Sequence, residues 1–142
     1  MMDNSIIYKL IATAIKTREN AYVPYSGFKV GAGLLAADGT IFGGCNVENA
    51  AFSPSSCAER TAISTAIAAG HKKFTAIAIV GGKDELADNC FPCGVCRQVF
   101  VEFCTPDFLI IVAQNEKSYK AYSLADLLPN SFGPDNLYNV YC

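Results

Sequence analysis

An α/β domain with helices on both faces of a sheet is predicted by three observations. Helical and strand-like periodicities alternate along the chain. Two short runs, 74–80 and 108–113, are almost unbroken in apolar residues, as expected of strands covered on both sides. Asp38-Gly39 lies between two further strand-like runs, a two-residue hairpin signal. No internal repeat, linker or low-complexity tract interrupts the chain, so residues 1–142 are expected to form a single domain.

The elements follow in order. Over residues 3–20, Ile7, Leu10, Ile11, Ala14 and Ile15 recur at helical spacing behind the cap-forming Asp3-Asn4-Ser5, and Pro24 and Gly27 close the segment. Residues 28–36 and 40–47 read as the two strands of the hairpin. A helix runs from Cys57 to about 69, with Ser55 or Ser56 as its cap and Gly70 as its stop. Strand 74–80 comes next, then a helix entered through Pro92 near Cys93 and ending around Cys104, before Pro106. Strand 108–113, a short fifth candidate at 119–122 and a last helical turn at 124–128 before Pro129 complete the series.

Composition narrows the function. A chain of this length typically buries roughly 68–70% of its unfolded surface, so neither disulfides nor metal are needed merely to fold it. Hydrophobic residues make up 51% of the chain and charged ones 17%, a surplus that predicts a large subunit interface as well as a core. Eleven basic residues stand against thirteen acidic ones, with no Lys/Arg run to neutralise phosphates, which argues against a nucleic-acid polymer as partner. No apolar run approaches the ~20 residues of a membrane span, so no membrane partner is expected. The seven cysteines are odd in number, three of them fall at metal-ligand spacing, and Met1-Met2-Asp3-Asn4-Ser5 lacks signal-peptide architecture. A reducing cytoplasm is the expected compartment.

Cys57-Ala58-Glu59 and, some thirty residues on, Pro92-Cys93-Gly94-Val95-Cys96 carry the chemistry. Cys57, Cys93 and Cys96 supply three thiolates for zinc and leave the Glu59 carboxylate beside the metal, not on it. Catalytic zinc sites keep one of four positions for water or substrate, whereas structural sites close it with protein. The pattern therefore points to displacement of an amine by metal-activated water. Both segments open helices, whose unpaired N–H groups favour thiolates. Three thiolates around Zn²⁺ leave a net −1, which makes bound water less acidic; Arg60, next to Glu59, is the cation expected to donate to the sulfurs and offset this.

Other readings of the same residues stay open at this level. Cys90-x-x-Cys93-x-x-Cys96 with Cys57 permits a closed four-cysteine structural site, although Pro92 leaves Cys90 in the loop before the helix. Cys93-Gly94-Val95-Cys96 is also a possible redox dithiol, but the thioredoxin-like element order is absent. Glu59 has the option of an ordinary solvent-facing helical glutamate. His71, after Gly70 and before two lysines, reads as a surface residue. No role is assigned to Cys45, Cys90, Cys104 or Cys142.

Beyond these residues the chain resembles the small, homotetrameric, zinc-dependent cytidine deaminases over nearly its whole length. The resemblance rests on Tyr22-Val23-Pro24-Tyr25-Ser26 with Phe28, then Gly44-Cys45-Asn46-Val47-Glu48-Asn49-Ala50, then Cys57-Ala58-Glu59-Arg60. It continues through Pro92-Cys93-Gly94-Val95-Cys96-Arg97-Gln98 and ends in Leu127-Leu128-Pro129-Asn130-Ser131-Phe132-Gly133-Pro134. It implies a three-layer α/β/α sandwich with a mixed five-stranded sheet, one zinc ion per subunit and a nucleoside substrate. It also implies hydrolysis of cytidine and deoxycytidine to uridine and deoxyuridine, with ammonia released, as in pyrimidine salvage.

Roles for single residues follow from the same resemblance. Glu59 would take a proton from water, protonate N3 of the pyrimidine and return a proton to the departing amine. Asn46 and Glu48 would bind ribose hydroxyls, the backbone of Ala58 would contact the base, and Phe28 would pack on base or ribose. Phe132 and Phe52 would contribute to a neighbouring subunit's site. Phe52 stands where relatives often have tyrosine, which removes a polar contact near the ribose. Rival readings are a deaminase for another aminated pyrimidine-like compound, such as the blasticidin deaminases, and a zinc-stabilised binding protein that has lost catalysis.

Overall fold

Five strands form one mixed sheet in the computed structural model, which describes residues 2–87 and 89–138. In chain order they are β1 (Lys29–Ala36), β2 (Ile41–Cys45), β3 (Phe74–Gly82), β4 (Leu109–Asn115) and β5 (Ser118–Ser123). Across the sheet they run β2-β1-β3-β4-β5, with β3 and β4 parallel and every other neighbouring pair antiparallel. The helices are α1 (Asn4–Arg18), α2 (Ala58–Ala68), α3 (Gly94–Phe103), α4 (Leu124–Leu127) and α5 (Pro134–Tyr138). The predicted layered α/β architecture and mixed five-stranded sheet are what the chain forms. Cys142 lies outside the described residues.

Period-two alternation along β3 divides the interior into two cores. Ala76, Ala78 and Val80 face α1, where Ile7, Leu10, Ile11 and Ala14 meet them. Ile77 and Ile79 face the other way, into a core with Ala62, Ile63 and Ala66 of α2 and Phe100 of α3. Both faces of β3 are apolar and covered, which is why the run reads as unbroken in the sequence. Asp3 caps α1 by accepting from the backbone N–H of Ser5 at 3.0 Å.

Four details differ from expectation. The β1–β2 turn takes three residues, 37–39: Ala36 N donates to the Thr40 carbonyl at 2.9 Å, and Gly39 sits at φ +92°, which makes a type I turn with a glycine bulge. Strand β2 stops at Cys45, and Val47 makes only isolated bridges to Tyr22 and Ser56, so Asn46 and Glu48 stand on a connecting loop. His71 is half-covered: its ring lies 4.9 Å from that of Phe42, and Nδ1 is 3.4 Å from Asp38. Helix α5 was not foreseen, because it is five residues long and buries none of them.

Gly44 decides how α2 lies on the sheet. An added Cβ there would run into the Ala58 carbonyl and the Ala62 amide, backbone atoms that cannot move aside. The first turn of α2 therefore rests directly on β2, which places the residues around Cys57 and Glu59. Among the described residues no helix is long and apolar enough to cross a membrane.

Candidate metal centre and active site

Both helices that carry the motif cysteines begin immediately after one of them. Cys57 is the N-cap of α2 (φ −71°, ψ 155°) and Cys93 the N-cap of α3 (φ −66°, ψ 168°), and neither side chain makes a cap hydrogen bond. The expected serine caps are engaged elsewhere: Ser55 Oγ accepts from Asn49 N at 3.1 Å, and Ser56 Oγ accepts from the Thr61 hydroxyl at 3.3 Å. A cysteine in the cap position puts its sulfur beside unpaired N–H groups, where a thiolate is favoured.

Cys96, one turn into α3, completes the group. The Cys57 and Cys93 sulfurs are 3.7 Å apart, those of Cys93 and Cys96 are 3.6 Å apart, and all three lie within 4.8 Å of one another. Zinc–sulfur bonds of about 2.3 Å arranged as a tetrahedron give sulfur–sulfur edges of about 3.8 Å. The three sulfurs thus approximate one face of that tetrahedron, and among the described residues no fourth ligand joins them. The donor set fits zinc.

The charges agree with that assignment. Without a cation, three clustered thiols cannot all ionise. Cys57 is held down to about 5, first by the Cys96 thiol and further by Arg60, while Cys96 is pushed up by the same pairing and by burial. A metal cation supplies the missing charge and takes up all three as thiolates. Arg60 stands where expected: Nη2 is 3.9 Å from the Cys57 sulfur and donates to the Ser55 carbonyl at 2.9 Å. Its Nε is buried without a hydrogen-bond partner among the described residues.

Glu59, two residues past Cys57, is only 3% exposed, so it is not a solvent-facing glutamate. Burial pushes its carboxyl up to about 7, and the neighbouring Cys57 acts in the same direction. Ala58 beside it is fully buried. Cys90 is absent from the metal group. It packs over Gly81, where an added Cβ would collide with its sulfur and come within 3.1 Å of the Phe28 ring. Burial pushes Cys90 and Cys104 up to about 12 and raises Cys45, so these behave as protonated thiols.

The predicted ribose residues meet one segment of chain. The Asn46 side chain accepts from Val30 N at 2.8 Å and donates to the Phe28 carbonyl at 2.9 Å, which fixes the half-buried Phe28 at the mouth of β1. Glu48 accepts from Tyr25 N at 3.0 Å, from Ser26 N at 3.2 Å and from the Ser26 hydroxyl, which hold its carboxyl below the usual range. With about four acceptor sites on a carboxylate and spare valences on an amide, both keep capacity for a hydroxyl. Phe52 and Phe132 remain on the surface, 75% and 61% exposed. Sequence reasoning missed Gly81 and Cys90 as neighbours of Phe28, because residues more than fifty positions apart leave no shared periodicity.

Comparison with known proteins agrees with this geometry. A family model described as the cytidine and deoxycytidylate deaminase zinc-binding region matches residues 5–112. A cytidine deaminase of Sporosarcina psychrophila is 45% identical over 131 residues, covering 92% of this chain and 94% of the relative. One of Halalkalibacterium halodurans is 40% identical over 90% of this chain and 95% of its own length. The crystal structure of a cytidine deaminase from Burkholderia pseudomallei superposes with a TM-score of 0.78 at 43% identity, covering 93% of this chain and all of that one.

Proposed function

The chain belongs to the cytidine and deoxycytidylate deaminase family, and on that footing we propose that it hydrolyses cytidine and deoxycytidine to uridine and deoxyuridine with release of ammonia. The observation that carries this reading is a carboxyl group 3% exposed beside three sulfurs at tetrahedral zinc spacing.

Cys57, Cys93 and Cys96 hold one zinc ion per subunit, which when bound supplies the Lewis acidity that makes water a nucleophile near neutral pH. Glu59 accepts a proton from the attacking water and passes it to N3 of the pyrimidine as the bond to C4 forms. It then takes the second proton of that oxygen and delivers it to the departing amine, so water and the aminopyrimidine become the oxo-pyrimidine and ammonia. A group that must both accept and return a proton works best with a pKa near the working pH, which burial supports at about 7. Arg60 offsets the thiolate charge. Phe28 packs on the base or ribose, the Ala58 backbone meets the base, and Asn46 and Glu48 take the ribose hydroxyls.

Residues 1–142 work as one domain within a homotetramer. Two exposed apolar groups support assembly, Tyr25 with Phe52, whose rings are 6.3 Å apart, and Phe132 with Leu137, which line one pocket, since exposed apolar patches mark interfaces. Phe52 and Phe132 then complete a neighbour's site. A cytoplasmic location suits a protein whose six described cysteines are all free, three of them needed as thiolates. A net charge of −2 favours a free nucleoside over a polymer. The test is the ultraviolet absorbance of cytidine mixed with zinc-loaded protein. A falling cytidine band with stoichiometric ammonia is expected; no change with the zinc-replete tetramer overturns the proposal.

A further inference from the structure

We propose that Arg97 and Gln98 are positioning residues that hold Phe132 in register with the metal loop, so that each subunit's zinc-binding segment sets the aromatic group it lends to its neighbour. This rests on the reading of Phe132 as part of a neighbouring subunit's site.

Directly after the last cysteine of the motif, α3 presents two side chains to the C-terminal segment. Arg97 Nε donates to the Pro92 carbonyl at 2.9 Å, immediately before Cys93, and its Nη1 donates to the Leu127 carbonyl at 2.8 Å. One guanidinium thus bridges the metal loop and the end of α4. Gln98 Nε2 donates to the carbonyl of Phe132 itself at 2.8 Å. Gly133, the next residue, lies so close to α3 that an added Cβ would stand 2.7 Å from Val101 Cγ1, and its N–H donates to Asn136 Oδ1 at 2.8 Å.

The backbone is therefore fixed at 127, 132 and 133, while the Phe132 ring is left 61% exposed. Anchored backbone under a free aromatic ring is the arrangement of a group presented to a partner, since a rigid anchor loses little freedom on docking. The bonds from Arg97 and Gln98 side chains are not what sets the sulfurs, because the α3 backbone does so through Arg97 N donating to the Cys93 carbonyl at 3.0 Å. Arg97 uses two donors in a fixed fork on two separate carbonyls, which a lysine does not reproduce.

The experiment is a double-mutant cycle on the zinc-loaded tetramer. Gln98→Leu should raise KM about three- to tenfold, the worth of one hydrogen bond, with kcat within about twofold of the parent and zinc still at one per subunit. Arg97→Lys should act in the same direction. Phe132→Ala should raise KM at least as far, and the double variant should be no worse than Phe132→Ala alone, because Gln98 acts only through Phe132. If Gln98→Leu loses the tetramer, Gln98→Asn, which keeps the donor but shortens its reach, makes the same comparison. An unchanged KM in Phe132→Ala removes both the reading of Phe132 and this proposal. A raised KM in Phe132→Ala with no effect at Gln98, or two effects that multiply in the double variant, overturns the positioning role and leaves Phe132 in the site.

Discussion

Glu59 is 3% exposed at the foot of a helix pressed onto the sheet through Gly44, whereas Phe52 and Phe132 stand 75% and 61% exposed on connecting segments. Both sets belong to the proposed active site, yet only the first is buried within one chain. The metal pole combines helix N-termini, burial and an adjacent guanidinium, all of which a single fold supplies without a partner. The ribose pole offers a carboxylate, an amide and exposed rings that lie open to solvent. The difference teaches that the subunit core alone makes the Glu59 carboxyl dry, while the proposed ribose residues get no such cover from their own chain.

The sharpest way to break this comparison is at its buried end. Glu59→Gln preserves size and burial but cannot accept a proton, so kcat should fall by at least ~10²–10⁴-fold, with KM near the parent value and zinc retained. Steady-state kinetics alongside metal analysis check it; lost zinc would show that Glu59 serves the metal site instead. A second test, smaller in free energy, uses the zinc-free protein. Burial raises the Glu59 carboxyl from 4.5 to about 7, so the folded state binds this proton more tightly than the unfolded chain does. Its contribution to stability is fully present below pH 4.5 and is lost as pH rises through 7. The difference in unfolding free energy between Glu59→Gln and the parent should therefore swing toward the variant between pH 4.5 and 8, by on the order of 3 kcal/mol at most. Denaturant titrations of chelator-treated protein across that range measure it, and a flat difference would mean that Glu59 is not dry.

Legibility in the sequence follows the same division. Strands β1, β3 and β4 declare themselves because they are covered on both faces, and α1 because one stripe of it is buried. The zinc ligands are legible because Cys93 and Cys96 lie one helical turn apart and Cys57 sits in a motif with its carboxylate. Bonds across sequence distance are not legible. Nothing local says that Glu48 is held by Tyr25 and Ser26, or that Cys90 fills the space over Gly81 beside Phe28. The helix start differs from the expected serine cap for a physical reason: α2 begins one residue later, with Cys57 as its N-cap, and the Ser55 and Ser56 hydroxyls accept from Asn49 N and the Thr61 hydroxyl instead. Five-residue α5 carries no buried stripe to read.

At the open end, Phe132→Ala should raise KM about tenfold, about 1.4 kcal/mol, or weaken the tetramer, with kcat little changed. Mixed assembly sharpens the comparison. Subunits carrying Phe132→Ala keep their own Glu59, and subunits carrying Glu59→Gln keep Phe132. If the ring is lent across an interface, unfolding and refolding the two together should give sites that combine a parent-like kcat with a parent-like KM, a combination that neither homotetramer shows. A mixture whose kinetics are the plain sum of its parts would place Phe132 in its own subunit's site or in none.

The smallest expected effect is at Phe52. Its backbone is held at φ +58°, unusual for a bulky side chain, by a turn in which Phe52 N donates to the Asn49 carbonyl at 2.9 Å. That turn lifts the ring away from its own core and leaves it 6.3 Å from the ring of Tyr25, beside the loop that carries Glu48. The chain resembles proteins that often have tyrosine here, so Phe52→Tyr adds one hydroxyl where the backbone already presents the ring. An exposed hydroxyl that gains a single neutral hydrogen bond in the tetramer should lower KM by about two- to fivefold and leave kcat and unfolding stability unchanged. Kinetics with cytidine and deoxycytidine at fixed tetramer concentration read the change directly. The same fall for both nucleosides would place the new contact away from the 2′-hydroxyl, and a fall for cytidine alone would place it there. No change for either would mean that Phe52 only packs the interface, and the ribose pole would then rest on Asn46 and Glu48.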